Sequence, residues 1–479
     1  MSEPGRRRAR AVAPESGRRT AVARRIHPTA VLCVVLPLLT LGALLLVPTH
    51  DQPDATHDPT ETALTQAALG CPAAPGAKDA ALQVATSLDD ATGEVSVRSG
   101  GPGAEPETLE VTSGEVTTAE TDDRSAVVSA EGDLAPGLLA VRSTAKPLAA
   151  ASCALPRPET WFTGVGAGAE HSSTLELANP DGGAAVADVF VYSSSGLSDV
   201  PDLRGVTVRG HDVLQIDLAT AVPRRQDLTL QVVVSRGRLA ASVRDEVSDL
   251  GSRSASADWL PSLPAPAEDL VLLGLPEGDG DDELTLANPG DDEVRAQVRI
   301  QTDEAAFVPE GIDEVRIPPQ STRQVTLSSV LRAQVKKGAL GLRITATAPV
   351  TAALRSVVED DLSAAVPAPA LGVAGTLPVP ASDGEGEPSV VLANAAGAGV
   401  ATVTSWDARG RRLDEKEVEL TAGSGDTLEL SAKTALVRVT PRRTTVSAAL
   451  VVTGPGSAVL PFTEPVTTAL VPDVRPGLL

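Results

Sequence analysis

Leu177-Ala178-Asn179-Pro180 returns as Leu286-Ala287-Asn288-Pro289 and again, altered, as Leu392-Ala393-Asn394-Ala395. The flanks keep step with this tag. Val206 and Val208 answer to Val315 and Ile317 and then to Val418 and Leu420. Ile216 and Leu218 answer to Val325 and Leu327 and then to Leu428 and Leu430, and Leu239–Arg244 answers to Val350–Arg355 and Val446–Leu450. A tag that recurs after 109 and then 106 residues, with further anchor points following it in the same order, indicates duplication of one module.

Within each copy, short apolar-alternating runs such as Val186–Val191 and Val294–Ile300 are separated by Gly, Pro and Asp clusters, the pattern of strands and turns. About seven such strands in a hundred residues fit an immunoglobulin-like β-sandwich. The expected fold is all-β, with sandwiches in tandem. Asn179-Pro180 and Asn288-Pro289 have a structural reading: proline cannot extend a ladder and asparagine closes a turn with its side chain, and Asn394 keeps half of that signal. Leu218–Val222 and Leu327–Leu331 read as single helical turns.

The N-terminus is of another kind. Residues 1–28 carry eight arginines against Glu3 and Glu15, and 29–47 contain no charge. Nineteen such residues come close to the roughly 20 that cross a bilayer as a helix. The positive-inside rule keeps the basic flank in the cytoplasm and exports the rest. The competing reading, a cleaved signal peptide, would want a shorter apolar run and a small-residue cleavage site, which Leu44–Thr49 lacks. Residues 48–62, rich in Pro, Asp and Thr, read as an extended stalk, and Thr62–Leu69 as a short helix. The expected organisation is therefore a cytoplasmic tail (1–28), a transmembrane helix (29–47), a stalk (48–62), an N-terminal β domain (63–153) and three repeats (154–262, 263–370, 371–479). The N-terminal domain could be a diverged fourth copy: Leu148–Cys153 followed by Trp161 mirrors Leu239–Ser242 followed by Trp259, which would place the two tryptophans on equivalent strands.

Charge and cysteines narrow the function classes. The chain has a net charge of −23, and without its basic tail −29. Such a surface lacks the clustered cations that nucleic acid requires. Cys33 falls in the apolar segment, so Cys71 and Cys153 are the one exported pair; an oxidising compartment favours joining them, and two lone thiols are the alternative.

Chemical motifs are sparse. His171 and His211 are the two histidines beyond the stalk, neither beside a Gly-x-Ser-x-Gly elbow, and no zincin helix, paired-cysteine motif or phosphate loop occurs. The chain reads as no enzyme, with no cofactor. The strongest polar cluster runs from Glu277 to Glu283. Asp279, Asp281, Asp282 and Glu283 could supply calcium with carboxylate oxygens, or simply form a solvated turn. Eight aromatic residues in all leave little for a sugar-stacking platform, and Arg409, Arg411 and Arg412 read as a solvated basic loop.

Taken together, Cys71-Pro72, Cys153, Trp161-Phe162-Thr163-Gly164, the two Ala-Asn-Pro turns, Arg236-Gly237-Arg238 and Trp259-Leu260-Pro261 resemble an uncharacterised actinobacterial family of membrane-anchored extracytoplasmic proteins, a domain of unknown function, over about residues 60–470. The resemblance implies a Gram-positive envelope setting and carries no catalytic residues. The expected role is a non-enzymatic structural spacer or docking scaffold in the cell envelope, single-pass in the cell membrane, whose partner is an envelope protein or glycan. Two alternatives stand beside it: an accessory subunit of a membrane enzyme complex that builds or exports surface polymer, and a calcium-stiffened adhesive ectodomain.

Overall fold

The computed structural model describes residues 32, 35–40, 42, 60–77, 79–223, 225–248, 255–263, 265–382, 384–454 and 456–471. Of the expected membrane helix, Leu32, residues 35–40 and Gly42 are helical. Among the described residues no helix is long and apolar enough to cross a membrane. The basic tail, the remainder of 29–47 and residues 48–59 of the stalk lie outside the described residues.

Residues 61–470 form one compact all-β unit. In it, one eight-strand pattern occurs four times. Module one comprises Gln66–Cys71, Ala81–Thr86, Thr92–Ser99, Glu107–Thr112, Thr117–Ala119, Ala126–Glu131, Leu138–Ala145 and Leu148–Ser152. Its first, sixth, third and fourth strands pair in that order as one sheet; its fifth, second, seventh and eighth pair as the other. Module two repeats both sheets with Glu159–Ala167, His171–Ala178, Ala185–Ser193, Val206–Val208, Val213–Asp217, Arg225–Arg236, Ala240–Ser248 and Ala255–Leu260. Module three uses Ala267–Leu273, Gly280–Asn288, Val294–Gln301, Val315–Ile317, Ser321–Thr326 and Asp361–Ala365, and its sixth and seventh strands are continuous as Gly341–Val358. Module four uses Gly375–Pro378, Glu387–Ala393, Gly399–Trp406, Arg412–Leu420, Asp426–Glu429, Leu436–Arg442, Val446–Gly454 and Gly456–Pro461. Helices are brief: Leu218–Ala221 before the sixth strand of module two, and Ser328–Val335 at the same place in module three.

Alternation builds each core. In Thr92–Ser99, Val95 and Val97 are buried while Glu94 and Ser96 are not, and the buried set meets Leu82 and Val84 from the facing sheet. Phe162, Leu175, Leu177, Leu228 and Leu230 do the same in module two. Cys71 and Cys153 are disulfide-bonded and buried in the core of module one, linking the end of its first strand to the residue after its eighth.

The segment expected as a helix, Thr62–Leu69, is extended instead. Gln66–Cys71 pairs along its whole length with Ala126–Glu131, and Leu69 is buried in the core, a non-local gain that outweighs the weak helical tendency of so short a stretch. The expected equivalence of Trp161 and Trp259 does not hold either. Trp161 is on a first strand and Trp259 on an eighth, because the Ala-Ala-Ser string occurs once on the eighth strand of module one and once on the seventh of module two.

The modules do not run as a row. The first sheet of each packs on the second sheet of the next, and the last module closes on the first. Gly70 meets Ala178 and Ala240, and the Trp259 indole donates to Ala73 O at 3.1 Å, between modules one and two. Thr163 and Thr351 share a 2.6 Å hydroxyl bond between two and three. Val271, Leu273, Val391, Val451 and Val459 cluster between three and four. Arg438 donates to Ser87 O at 2.8 Å and pairs with Asp89 at 2.7 Å between four and one. Unlike surfaces repeated head to tail give either an open fibre or a ring, and here the rotation closes at four.

The four eighth strands meet one another at the centre. Leu362 N donates to Ser256 Oγ at 2.8 Å, Ser457 N to Asp361 Oδ2 at 2.8 Å, and Gly456 bridges Leu148. Asp258 accepts from the Ala150 and Trp259 amides. The ends of the ring also meet: Thr60–Ala63 pairs with Thr468–Val471, and Leu64 N donates to Thr467 O at 3.0 Å.

Candidate functional site

The turn asparagines act as internal caps. Asn179 Nδ2 donates to Gly183 O (2.8 Å) and Val208 O (3.2 Å), while its Oδ1 accepts from Asp181 N. Asn288 Nδ2 donates to Asp292 O (2.7 Å), Ile317 O (3.2 Å) and Pro318 O (3.1 Å), and its Oδ1 accepts from Gly290 N. Both side chains are spent on the backbone and buried, with Pro180 and Pro289 ending the strands beside them. Asn394 departs from this pattern, taking a left-handed φ of 55° and only partial burial. Thr86 holds the corresponding place in module one and accepts from Leu88 N at 3.2 Å.

The acidic residues do not converge. Asp281, Asp282 and Glu283 lie on one strand, so successive side chains point to opposite faces. Asp282 is buried and accepts from Ser356 Oγ at 2.6 Å; burial pushes its carboxyl up. Glu283 is paired with Arg355 and accepts from Gln324, and Asp279 pairs with Arg332 at 2.9 Å. Among the described residues no group of three His, Cys, Asp or Glu side chains could hold a metal ion. The calcium candidates at these positions are taken up in separate ion pairs and hydrogen bonds.

His171 lies on the second strand of module two, buried, with Nε2 2.8 Å from Asp245 Oδ2. Ser173 donates to the same carboxylate and accepts from Gly166 N at 2.8 Å. A hydrolytic triad places the imidazole between hydroxyl and carboxylate; here the carboxylate is in the middle and receives both the hydroxyl and the imidazole. The cluster braces the end of module two. Trp161 is buried against Tyr192, with ring centroids 5.5 Å apart, and Trp259 seals the seam to module one, so neither offers a face to a sugar. Arg411 folds back onto Asp407, Arg412 pairs with Glu415, and the Arg409 backbone makes a β-bridge with that of Glu115 across the seam to module one.

A larger concavity lies where no motif marks the chain. A cleft of about 770 Å³ opens at one end of module two, between the Ala167–Ala169 turn, the Ser193–Ser195 turn, Ala219, Pro223 and Arg225–Asp227. Its floor is a β-bulge: Val165 faces Leu228 but Ala167 faces Arg225, leaving Gln226 and Asp227 unpaired. Gly166 stands opposite, where a Cβ would lie 2.5 Å from His171. The bulge gives Asp227 a φ of 55° and turns its carboxylate toward module three, where it accepts from Gln324 Nε2 at 2.7 Å. Burial, then the charge of Glu283, raises the Asp227 carboxyl. Arg225 donates to Ser193 Oγ at 3.3 Å and to Ser198 Oγ. Hydroxyls, an amide and one charge of each sign line a cavity floored by small residues, with no aromatic residue in the lining. That lining suits recognition of a polar ligand by hydrogen bonds. A break in alternation at Arg225-Gln226-Asp227 is the one trace of it in the sequence.

A family of unknown function (DUF5719) matches residues 116–431, a span that starts in module one and ends in module four. No curated protein matches the chain.

Proposed function

The chain belongs to the DUF5719 family of unknown function, and from that premise we propose that it is a non-enzymatic docking scaffold, anchored in an actinobacterial cell membrane and displaying immunoglobulin-like modules outside it. The observation that carries this reading is the closed ring. Four modules locked sheet to sheet hold their loop ends at fixed mutual positions, as a docking surface requires. A spacer role is less favoured, because Thr60–Ala63 and Thr468–Val471 lie side by side and the body adds little reach between its ends. The cleft over Arg225–Asp227 is the surface on which a polar segment of an envelope protein or glycan would dock.

The test is photo-crosslinking in the native host, with a reactive residue at Gln226 in the cleft and a control at Glu419 on the fourth strand of module four. A discrete adduct at Gln226 and none at Glu419 supports docking there. Identical background labelling at both positions, or hydrolytic or transferase activity of the purified full chain on envelope polymer, would overturn the reading.

A further inference from the structure

Three of the four seams repeat one device. Near the end of each third strand an outward side chain faces the next module, at the loop that precedes the latter's fifth strand. In module three, Gln301 donates to Gly423 O at 2.9 Å, and Asp303 O accepts from Gly425 N at 2.7 Å. In module four, Trp406 stands against Gly114, and Val116 N donates to Ala408 O at 3.3 Å. Between modules two and three, Ser193 bridges Ser321 directly.

The seam between modules one and two departs from this. Arg98 occupies the position, facing the loop that carries His211 and Asp212, and a cleft of about 110 Å³ separates them. Ser96, Arg98, Ser129, Asn179, His211 and Asp212 are in its lining. The Arg98 Nε is buried and has no acceptor among the described residues. Two acceptors in the lining are turned to their own loops, Asp212 Oδ1 accepting from Val213 N at 2.9 Å and Asn179 Oδ1 from Asp181 N at 3.0 Å, and the Asp212 carboxylate is the one negative charge in the lining. A buried guanidinium donor without an acceptor costs free energy.

We propose that this cleft binds an oxyanion, the carboxylate or phosphate group of a larger ligand. Arg98 supplies the counter-charge and a forked donor, and the Ser96 and Ser129 hydroxyls and the His211 imidazole supply further hydrogen bonds. The cleft admits the anionic group alone, so the body of the ligand lies outside on the rim formed by Gly100 and Pro180. The site is distinct from the cleft over Arg225–Asp227.

The experiment titrates inorganic phosphate and, separately, acetate into the full-length chain in detergent, following line broadening of the ³¹P and ¹³C signals. Wild type is expected to bind at least one probe saturably. Arg98→Gln should weaken it by about tenfold or more, and Arg98→Lys should fall between, because an ammonium keeps the charge and loses the fork. Tighter phosphate binding assigns a phosphate-bearing ligand, and tighter acetate binding a carboxylate. Absence of saturable binding of either probe to wild type, or unchanged binding by Arg98→Gln, would overturn the proposal. Should Arg98→Gln lose its strand circular dichroism, Ser129→Val carries the test from the neighbouring strand: a several-fold loss of affinity upholds the site, and full affinity overturns it.

Discussion

The amide of Ser457 donates to Asp361 Oδ2 at 2.8 Å, tying the eighth strands of modules four and three at the centre of the ring. Burial raises the Asp361 carboxyl from an ordinary 3.8 to about 6, the Ser457 bond opposing it. Beside it, burial holds the Asp258 carboxyl well above its usual range. Between pH 3.8 and 6 the folded chain therefore binds more protons than the unfolded chain, so stability falls as pH rises through that window. Urea midpoints should drop between pH 5 and pH 7. Asp361→Asn, which keeps an oxygen acceptor for Ser457, should flatten the dependence by on the order of 1 kcal/mol, discounted for partial solvent screening. A midpoint that climbs with pH, and does so equally in both proteins, would refute this.

Closure brings the ends together. Thr468 Oγ1 donates to Glu61 Oε1 at 2.6 Å, so Glu61→Cys with Thr468→Cys should oxidise to an intramolecular disulfide in the full chain, identified as a linked peptide by mass spectrometry. Four modules in a row would not form it.

The seam between modules one and two depends on a missing side chain. A Cβ on Gly70 would lie 2.5 Å from the Ala240 Cβ, so Gly70→Ala should cost about 1–3 kcal/mol through overpacking. Ala240→Gly in the same chain should restore most of that loss. A double-mutant cycle by thermal unfolding reads the coupling, and strict additivity would count against the contact.

The two turn asparagines should differ in sensitivity. Asn288→Ala strands three carbonyls and the Gly290 amide, a loss of about 1–3 kcal/mol. Asn394→Gly, at a φ of 55°, should change stability by no more than about 0.5 kcal/mol, because glycine adopts that conformation freely. Denaturant titration of the two variants separates the cases.

Joining Cys71 to Cys153 closes a loop with a sequence separation of 82. Replacing both with serine should cost up to about 4 kcal/mol in the chain-entropy account. Because module one contributes to two seams, calorimetry should show the ring opening in the same transition that unfolds that module.

What the sequence disclosed was local. The Ala-Asn-Pro tag is legible because one side chain makes the same bond in two modules, Asn179 to Val208 O and Asn288 to Ile317 O. The valine pairs that keep step with it are the fourth strands Val206–Val208 and Val315–Ile317. Module one gives a fainter signal because Thr86 does the work of asparagine there. Closure leaves no periodic trace: Gln83 meets Ala381 and Asp89 meets Arg438 across almost the whole chain, through contacts made once each. The cleft over Arg225–Asp227 was hidden for another reason. It exists because a bulge opposite crowded Gly166 turns Asp227 out of register, and a bulge is a property of two strands together. The acidic run was open to two readings because composition alone does not reveal that Asp281, Asp282 and Glu283 alternate across a strand.

Module one completes its packing only with the last module made. Its second sheet stays bare, and Leu148 on its eighth strand lacks the Gly456 bridge, until residues beyond 375 have left the ribosome. A nascent chain of this kind carries an unfinished edge and an uncovered apolar face through most of its synthesis, the circumstance in which strands mispair between neighbouring chains. Truncations after module three should therefore aggregate or be degraded rather than accumulate as shorter soluble products, and a quality-control factor that shields that face would act on the unfinished polypeptide alone.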